Sequence, residues 1–205
     1  MTIVMTLLPW VSAFSSFGWG MLRFFRRTAA LNWQTAVVAV LGSVFSGWHC
    51  YQIIGSHAEL APRLCGFVLL SGATMLFWWA VRGCGTSGMT AIFEGDVPCH
   101  LVRRGPYAYV RHPFYASYTM FWFGGAIASG SISALISAGI MLGIYLDAIA
   151  REERKFASSM FAGEYAEYRR RVGVMTPRLI SGRGAARFRG CYTSCIHRLA
   201  GISQR

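Results

Sequence analysis

Charge is missing from long runs of this chain, and that absence decides what it can fold into. Residues 1–22 carry no Asp, Glu, Lys or Arg, nor do residues 31–54 or 64–81. Between residues 114 and 150 only Asp147 is charged. A bilayer hydrocarbon core is about 30 Å thick and needs about 20 apolar helical residues to cross it. The first three runs are of that order. The fourth is too long for one helix, and Ser129, Gly130 and Ser131 supply a turn near its middle. The expected fold is therefore all-α: a polytopic membrane bundle of five transmembrane helices, over about 1–22, 31–54, 64–81, 114–129 and 132–150. The last two form a tight hairpin of short spans.

The distribution of basic residues fits that count. Lys and Arg total 20 against 8 Asp and Glu. The five-span arrangement puts nineteen of the twenty on one side, leaving Arg63 alone on the other. Cytoplasmic loops retain positive charge. The N-terminus is thus expected outside and the C-terminus in the cytoplasm. The net charge of +12 then needs no nucleic acid partner, since anionic lipid headgroups attract basic segments beside a membrane. Arg23, Arg26 and Arg27 follow the first apolar run instead of preceding it, so that run reads as a span and not as a cleaved signal.

Six cysteines have no spacing typical of a secreted disulfide framework and are expected as thiols. Cys191, Cys195 and His197 suggest a metal site only faintly, for want of a fourth ligand, and no metal is expected. Residues 1–172 form one membrane-embedded unit in this reading. Residues 173–205 form a basic tail, mobile and loosely held by lipid headgroups.

Two segments outside the apolar runs have composition suited to chemistry. Residues 82–113 read as a long loop ending in a run rich in Arg, Tyr and His. In it, Gly105-Pro106 sets a turn. His112-Pro113 starts a helix, since Pro suits the first helical turn. Tyr107, Tyr109, His112 and Tyr115 bring rings and hydroxyls to the bilayer surface, where Tyr and Arg also serve as plain anchors. The second segment, 151–171, begins with the acidic pair Glu152-Glu153. Carboxylates at a helix start favour its dipole and need no further role. Phe156, Met160, Phe161, Tyr165 and Tyr168 then recur at spacings of three to five, the pattern of an amphipathic helix. Such a helix lies on the membrane, closes over the bundle, or simply packs on its surface.

The order of these pieces resembles the isoprenylcysteine carboxyl methyltransferase family, which is related to the phospholipid methyltransferases. The loop motif, a short helical hairpin, the acidic pair, the run Phe161-Ala162-Gly163-Glu164-Tyr165-Ala166-Glu167-Tyr168 and then Arg170-Arg171-Val172 carry the likeness, over roughly residues 95–175. The resemblance implies an integral membrane enzyme using S-adenosyl-L-methionine, held in a cytosol-facing pocket between the loop motif and the C-terminal helical segment. Carried over position by position, the cofactor contacts are His100, Leu101, Val102, Tyr107, His112, Pro113, Phe114, Tyr115 and Glu153. His112 and Tyr115 are the local candidates for acid–base work, and Arg151 is the arginine just before the acidic pair. Tyr107, His112 and Glu153 are expected to face one cavity.

The chain departs from the family pattern at three places. His100 stands one position after the usual His, at which Cys99 lies here. Asp147-Ala148-Ile149-Ala150 occupies the stretch where an Arg often precedes the acidic pair. Gly173 replaces a Pro. Without that Arg, a substrate carboxylate has no evident grip. The acceptor classes are a prenylcysteine-like carboxylate, a phospholipid amine or a small thiol, in each case lipophilic or lipid-borne. A membrane reductase using NADPH and a non-catalytic membrane subunit are the alternative readings.

Overall fold

The computed structural model describes residues 2–25, 33–93 and 101–178. His100 and the Cys191, Cys195 and His197 trio lie outside the described residues, as does most of the basic tail. Six α-helices account for most of the rest: α1 (Thr2–Phe25), α2 (Trp33–Gly55), α3 (Leu60–Phe93), α4 (Pro113–Ser129), α5 (Ile132–Ala157) and α6 (Ala162–Arg171). A single 3-10 turn, Gly105–Ala108, precedes α4. The fold is all-α, with no strand among the described residues.

Windows in α1, α2, α3 and α5 are long and apolar enough to cross a membrane. The helix expected as the fourth of five spans, α4, has 17 residues. That is about 25 Å at 1.5 Å per residue, short of the roughly 30 Å core. Four of the five expected spans thus meet the length. α4 lies at the centre, burying Phe121, Trp122 and Ala126 against Leu70 and Ala73 of α3 and Met141 and Tyr145 of α5. Side chains turned away from this core are apolar too, among them Val40, Val68, Met75 and Ile136. That surface suits lipid and not water, so the protein is a multi-pass membrane protein.

Small residues let α3 and α4 approach closely. A Cβ on Gly66 would sit 2.5 Å from the Ala128 Cβ and 2.8 Å from the Gly124 carbonyl oxygen. Membrane helices gain contact area this way, because lipid tails remove the hydrophobic drive between them. The hairpin turn falls where the sequence predicts it. Gly130 ends α4 in the left-handed region (φ 64°) and donates to the Ala126 and Ile127 carbonyls. The Ser131 side chain then caps α5, accepting from the Ala134 N–H.

Two expectations are corrected. The long loop begins late, because α3 runs on to Phe93. The helical extension includes Gly83, where a Cβ would lie 3.1 Å from the Pro106 ring. Gly83 is small so that the 3-10 turn can lie on α3, and Arg104 Nε donates to its carbonyl at 2.9 Å. The segment after the fifth span is also not one helix. α5 continues without interruption to Ala157, and a break at residues 158–161 separates it from α6. Ser158 and Ser159 hydroxyls bond back to the Arg154, Lys155 and Phe156 carbonyls, competing with helix continuation. Met160, expected on the apolar stripe, sits in that break 86% exposed. Phe156, Tyr165 and Tyr168 keep the stripe and pack with Val172 and Leu101.

Candidate functional site

Residues 132–150 of α5 already cover about 28 Å, so the charged run 151–155 projects past the hydrocarbon. Residues of the loop motif and of α6 gather around it, and Arg111 holds them together. Its Nε and Nη2 donate to Glu153 Oε1 at 3.0 and 2.7 Å. Its Nη1 donates to the Val172 carbonyl at 2.5 Å and the Arg169 carbonyl at 3.2 Å. One buried guanidinium therefore ties the loop to α5 and to the C-terminal end of α6. The planar fork of Arg suits this use, and Lys does not offer it. Backbone pairing extends the tie: Arg111 N donates to the Gly173 carbonyl at 2.8 Å and His112 N to that of Val174 at 3.0 Å. The Tyr168 hydroxyl donates to the Tyr107 carbonyl at 2.6 Å.

His112 is the residue just before α4, and its ring lies between the acidic pair. Nδ1 is 3.5 Å from Glu152 Oε2 and Nε2 is 3.4 Å from Glu153 Oε1. The second contact is an ion-pair distance without hydrogen-bond alignment, so Nε2 is buried with no hydrogen-bond partner. Burial by itself lowers the His112 pKa, but the two carboxylates, Glu152 first, outweigh it and raise it above the ordinary value. Glu153 shifts the other way. The His112 contact lowers its pKa most; burial opposes this, Arg111 adds to it, and the result is about 2. The two carboxylates thus favour the charged form of His112 and hold its ring between them.

The pair is unequal. Glu153 touches Arg111, His112 and, at 3.6 Å, Arg169, and its side chain is 13% exposed. Glu152 accepts from the Tyr115 hydroxyl at 2.6 Å and approaches His112, yet remains 34% exposed. Glu153 is committed to protein partners, whereas Glu152 keeps acceptor capacity toward the outside.

The sequence-predicted residues divide accordingly. His112, Tyr115 and Glu153 come together, and Pro113 is buried at the first turn of α4. Tyr107 does not join them. Its hydroxyl meets the Cys84 sulfur at 2.9 Å on α3, in a cluster with Val102 and Phe114. Leu101 packs the opposite way, onto Tyr165, Tyr168 and Val172. Arg151 pairs with Asp147 one turn earlier on its own helix. An open hollow of about 480 Å³ lies on α6 nearby, between Tyr165, Arg169, Arg170 and Arg178, and none of the predicted residues lines it.

Arg111 and Glu152 were missed as site residues. The acidic pair also sits near the C-terminal end of α5, where the helix dipole disfavours carboxylates. A dipole explanation therefore fails, and the pair calls for cationic partners. The Arg-His dipeptide beside the buried Pro113 supplies them, and that was the available signal.

Taken together, the molecule is a helical membrane protein with an Arg–His–Glu–Glu cluster at the charged end of its bundle. The phospholipid methyltransferase family model matches residues 62–164, which run from the start of α3 through the whole cluster except the α6 end. The chain belongs to that family. It is also 28% identical over 153 residues to the cobalt-zinc-cadmium resistance protein CzcN of Cupriavidus metallidurans, a match covering 74% of this chain. The chain spans 65% of the length of that curated relative. No solved structure matches it.

Proposed function

We propose that this protein is an S-adenosylmethionine-dependent methyltransferase that acts on a lipophilic acceptor at the membrane surface, with its charged end in the cytosol and its N-terminus outside. Family membership supports the reaction class. The observation that carries the assignment to this site is the inequality of the acidic pair: Glu152, one-third exposed, is oriented by Tyr115 and His112, while Glu153 is locked to Arg111.

The residues present fit the cofactor's chemistry. An exposed carboxylate suits an ammonium or ribose hydroxyls. The buried Nε2 of His112 has no aligned hydrogen-bond partner in the protein, which leaves a polar atom to be satisfied. The half-buried rings of Phe114 and Tyr115 suit a sulfonium, by cation–π attraction of about 0.5–2 kcal/mol. Bound S-adenosylmethionine supplies a methyl carbon already activated by its sulfonium. The protein's part is alignment, which contributes up to about 7–11 kcal/mol. Within this reading Glu153 acts through Arg111 as a positioning residue, and Tyr107 holds the loop on α3.

The electrostatics favour an amine acceptor over a carboxylate. Arg111 is buried and fully used, and Arg151 is paired with Asp147. The accessible charge among the site residues is the negative Glu152. A negative site attracts an ammonium and repels a carboxylate. A phospholipid amine therefore fits better than a prenylcysteine carboxylate. The test is methyl transfer from tritiated S-adenosylmethionine to the purified protein's reconstituted acceptors: phosphatidylethanolamine vesicles, a prenylcysteine and a small thiol. Label in the phospholipid fraction, lost in Glu152→Gln, is expected. Label in none of the three contradicts the reading, and label confined to the prenylcysteine overturns the choice of acceptor.

A further inference from the structure

The open hollow on α6 is unlike the His112 cluster in both shape and charge. Its floor is apolar: Ala157 ends α5, and Ala162 and Ala166 lie on one face of α6. Its rim is Arg169, Arg170 and Arg178, and no carboxylate lines it. The Arg178 guanidinium is pinned by donating to the Arg170 carbonyl. Arg169 is 59% exposed on its side chain, with only a 3.6 Å approach to Glu153. Among the described residues nothing pairs with the Arg170 side chain. Three cations converge here with one carboxylate, Glu153, at the edge of Arg169, so the rim keeps a surplus of positive charge that attracts an anion.

Depth narrows the choice of anion. α5 has 26 residues, all within one apolar candidate span, about 39 Å of helix. A bilayer with its headgroup regions is about 40–45 Å thick, which puts Ala157 at headgroup level, where arginine side chains reach a phosphate. An apolar floor under a basic rim at this level matches an amphiphile better than a free ion. We propose that this hollow binds the phosphate of an anionic phospholipid, with Arg169, Arg170 and Arg178 on the headgroup and the three alanines against its glycerol and upper chain. The site meets the His112 cluster through Arg169 and Tyr165, and it needs no methyl transfer to exist.

The test uses the full chain in neutral detergent, titrated with phosphatidylglycerol, with phosphatidylcholine and with inorganic phosphate, read by ligand-induced thermal shift. Each arginine near a charged lipid surface is worth about fivefold in binding. The wild type is expected to prefer phosphatidylglycerol over phosphatidylcholine. Arg170→Gln with Arg178→Gln is expected to weaken phosphatidylglycerol binding on the order of twentyfold at unchanged helix content. Arg154→Gln, on α5 outside the hollow, is the control and is expected to bind as the wild type does. Equal phosphatidylglycerol binding by the double variant and the wild type overturns the site. So does an equal loss in Arg154→Gln, which would mean diffuse attraction. Saturation by inorganic phosphate that blocks the lipid overturns the lipid as occupant.

Discussion

At the hairpin end of the bundle Gln52 donates to Ser131 and to Ser133, Trp48 joins Ser133, and His49 meets Ser137 at 2.8 Å. Arg63 there donates to the Ser56 and Ala58 carbonyls, with no carboxylate involved. At the charged end Arg111, His112, Glu152 and Glu153 bind one another as ions. Both ends retain buried nitrogens without a hydrogen-bond partner, His49 and Arg63 at one and His112 at the other. At the charged end the open carboxylate of Glu152 stands beside the unpartnered nitrogen of His112. Hydrogen bonds that involve no carboxylate close one end of the bundle. The ionic end is left partly open, and an open ionic cluster is where a ligand is recognised.

The comparison breaks most sharply at Arg111. Arg111→Leu removes the forked partner of Glu153 and leaves it only the longer approaches of His112 and Arg169, which costs up to about 3–5 kcal/mol. Thermal unfolding in detergent should show a large drop, only partly restored in Arg111→Lys because an ammonium cannot fork to Glu153 and two carbonyls at once. Glu153→Gln should destabilise in the same way, while Glu152→Gln should leave the melting temperature near that of the wild type. A smaller effect is expected with pH. The His112 pKa is raised on folding, so its contribution is complete below about 6.5 and fades as pH climbs through the raised value. Glu153 is depressed, so its contribution is complete above about 4.5 and is lost as pH falls toward about 2. Unfolding measured across pH should give a plateau between those limits, and His112→Asn should flatten the alkaline slope. The least effect belongs to the hairpin end: Ser131→Ala should cost about 1 kcal/mol of cap energy and leave cofactor binding untouched.

Much of the fold is legible in the sequence because a bilayer permits few solutions. Uncharged runs place α1, α2, α3 and α5, and Gly130 between two serines places the hairpin turn. Sequence signals fail where glycine has two meanings. Gly83 looks like a helix breaker but is a contact point for the loop, and only the packed 3-10 turn distinguishes the two. The break after Ala157 was hidden for a related reason: serine hydroxyls that end a helix look the same in sequence as serines on its surface. Within the site, His112, Tyr115 and Glu153 could be named from the motif. That Tyr107 turns toward Cys84, and that Glu152 is the open member of the pair, depends on which way each side chain faces, and a single sequence holds no record of that.

In the proposed function the charged end binds a nucleoside cofactor through the open carboxylate of Glu152. Calorimetric titration of the detergent-purified chain with S-adenosylhomocysteine tests it directly, comparing the wild type with Glu152→Gln and Ser131→Ala. The wild type and Ser131→Ala should bind alike, and Glu152→Gln should bind on the order of tenfold or more weakly, as the loss of a charged hydrogen-bond acceptor requires. Equal affinity in all three folded proteins, or no heat of binding in the wild type, would contradict it.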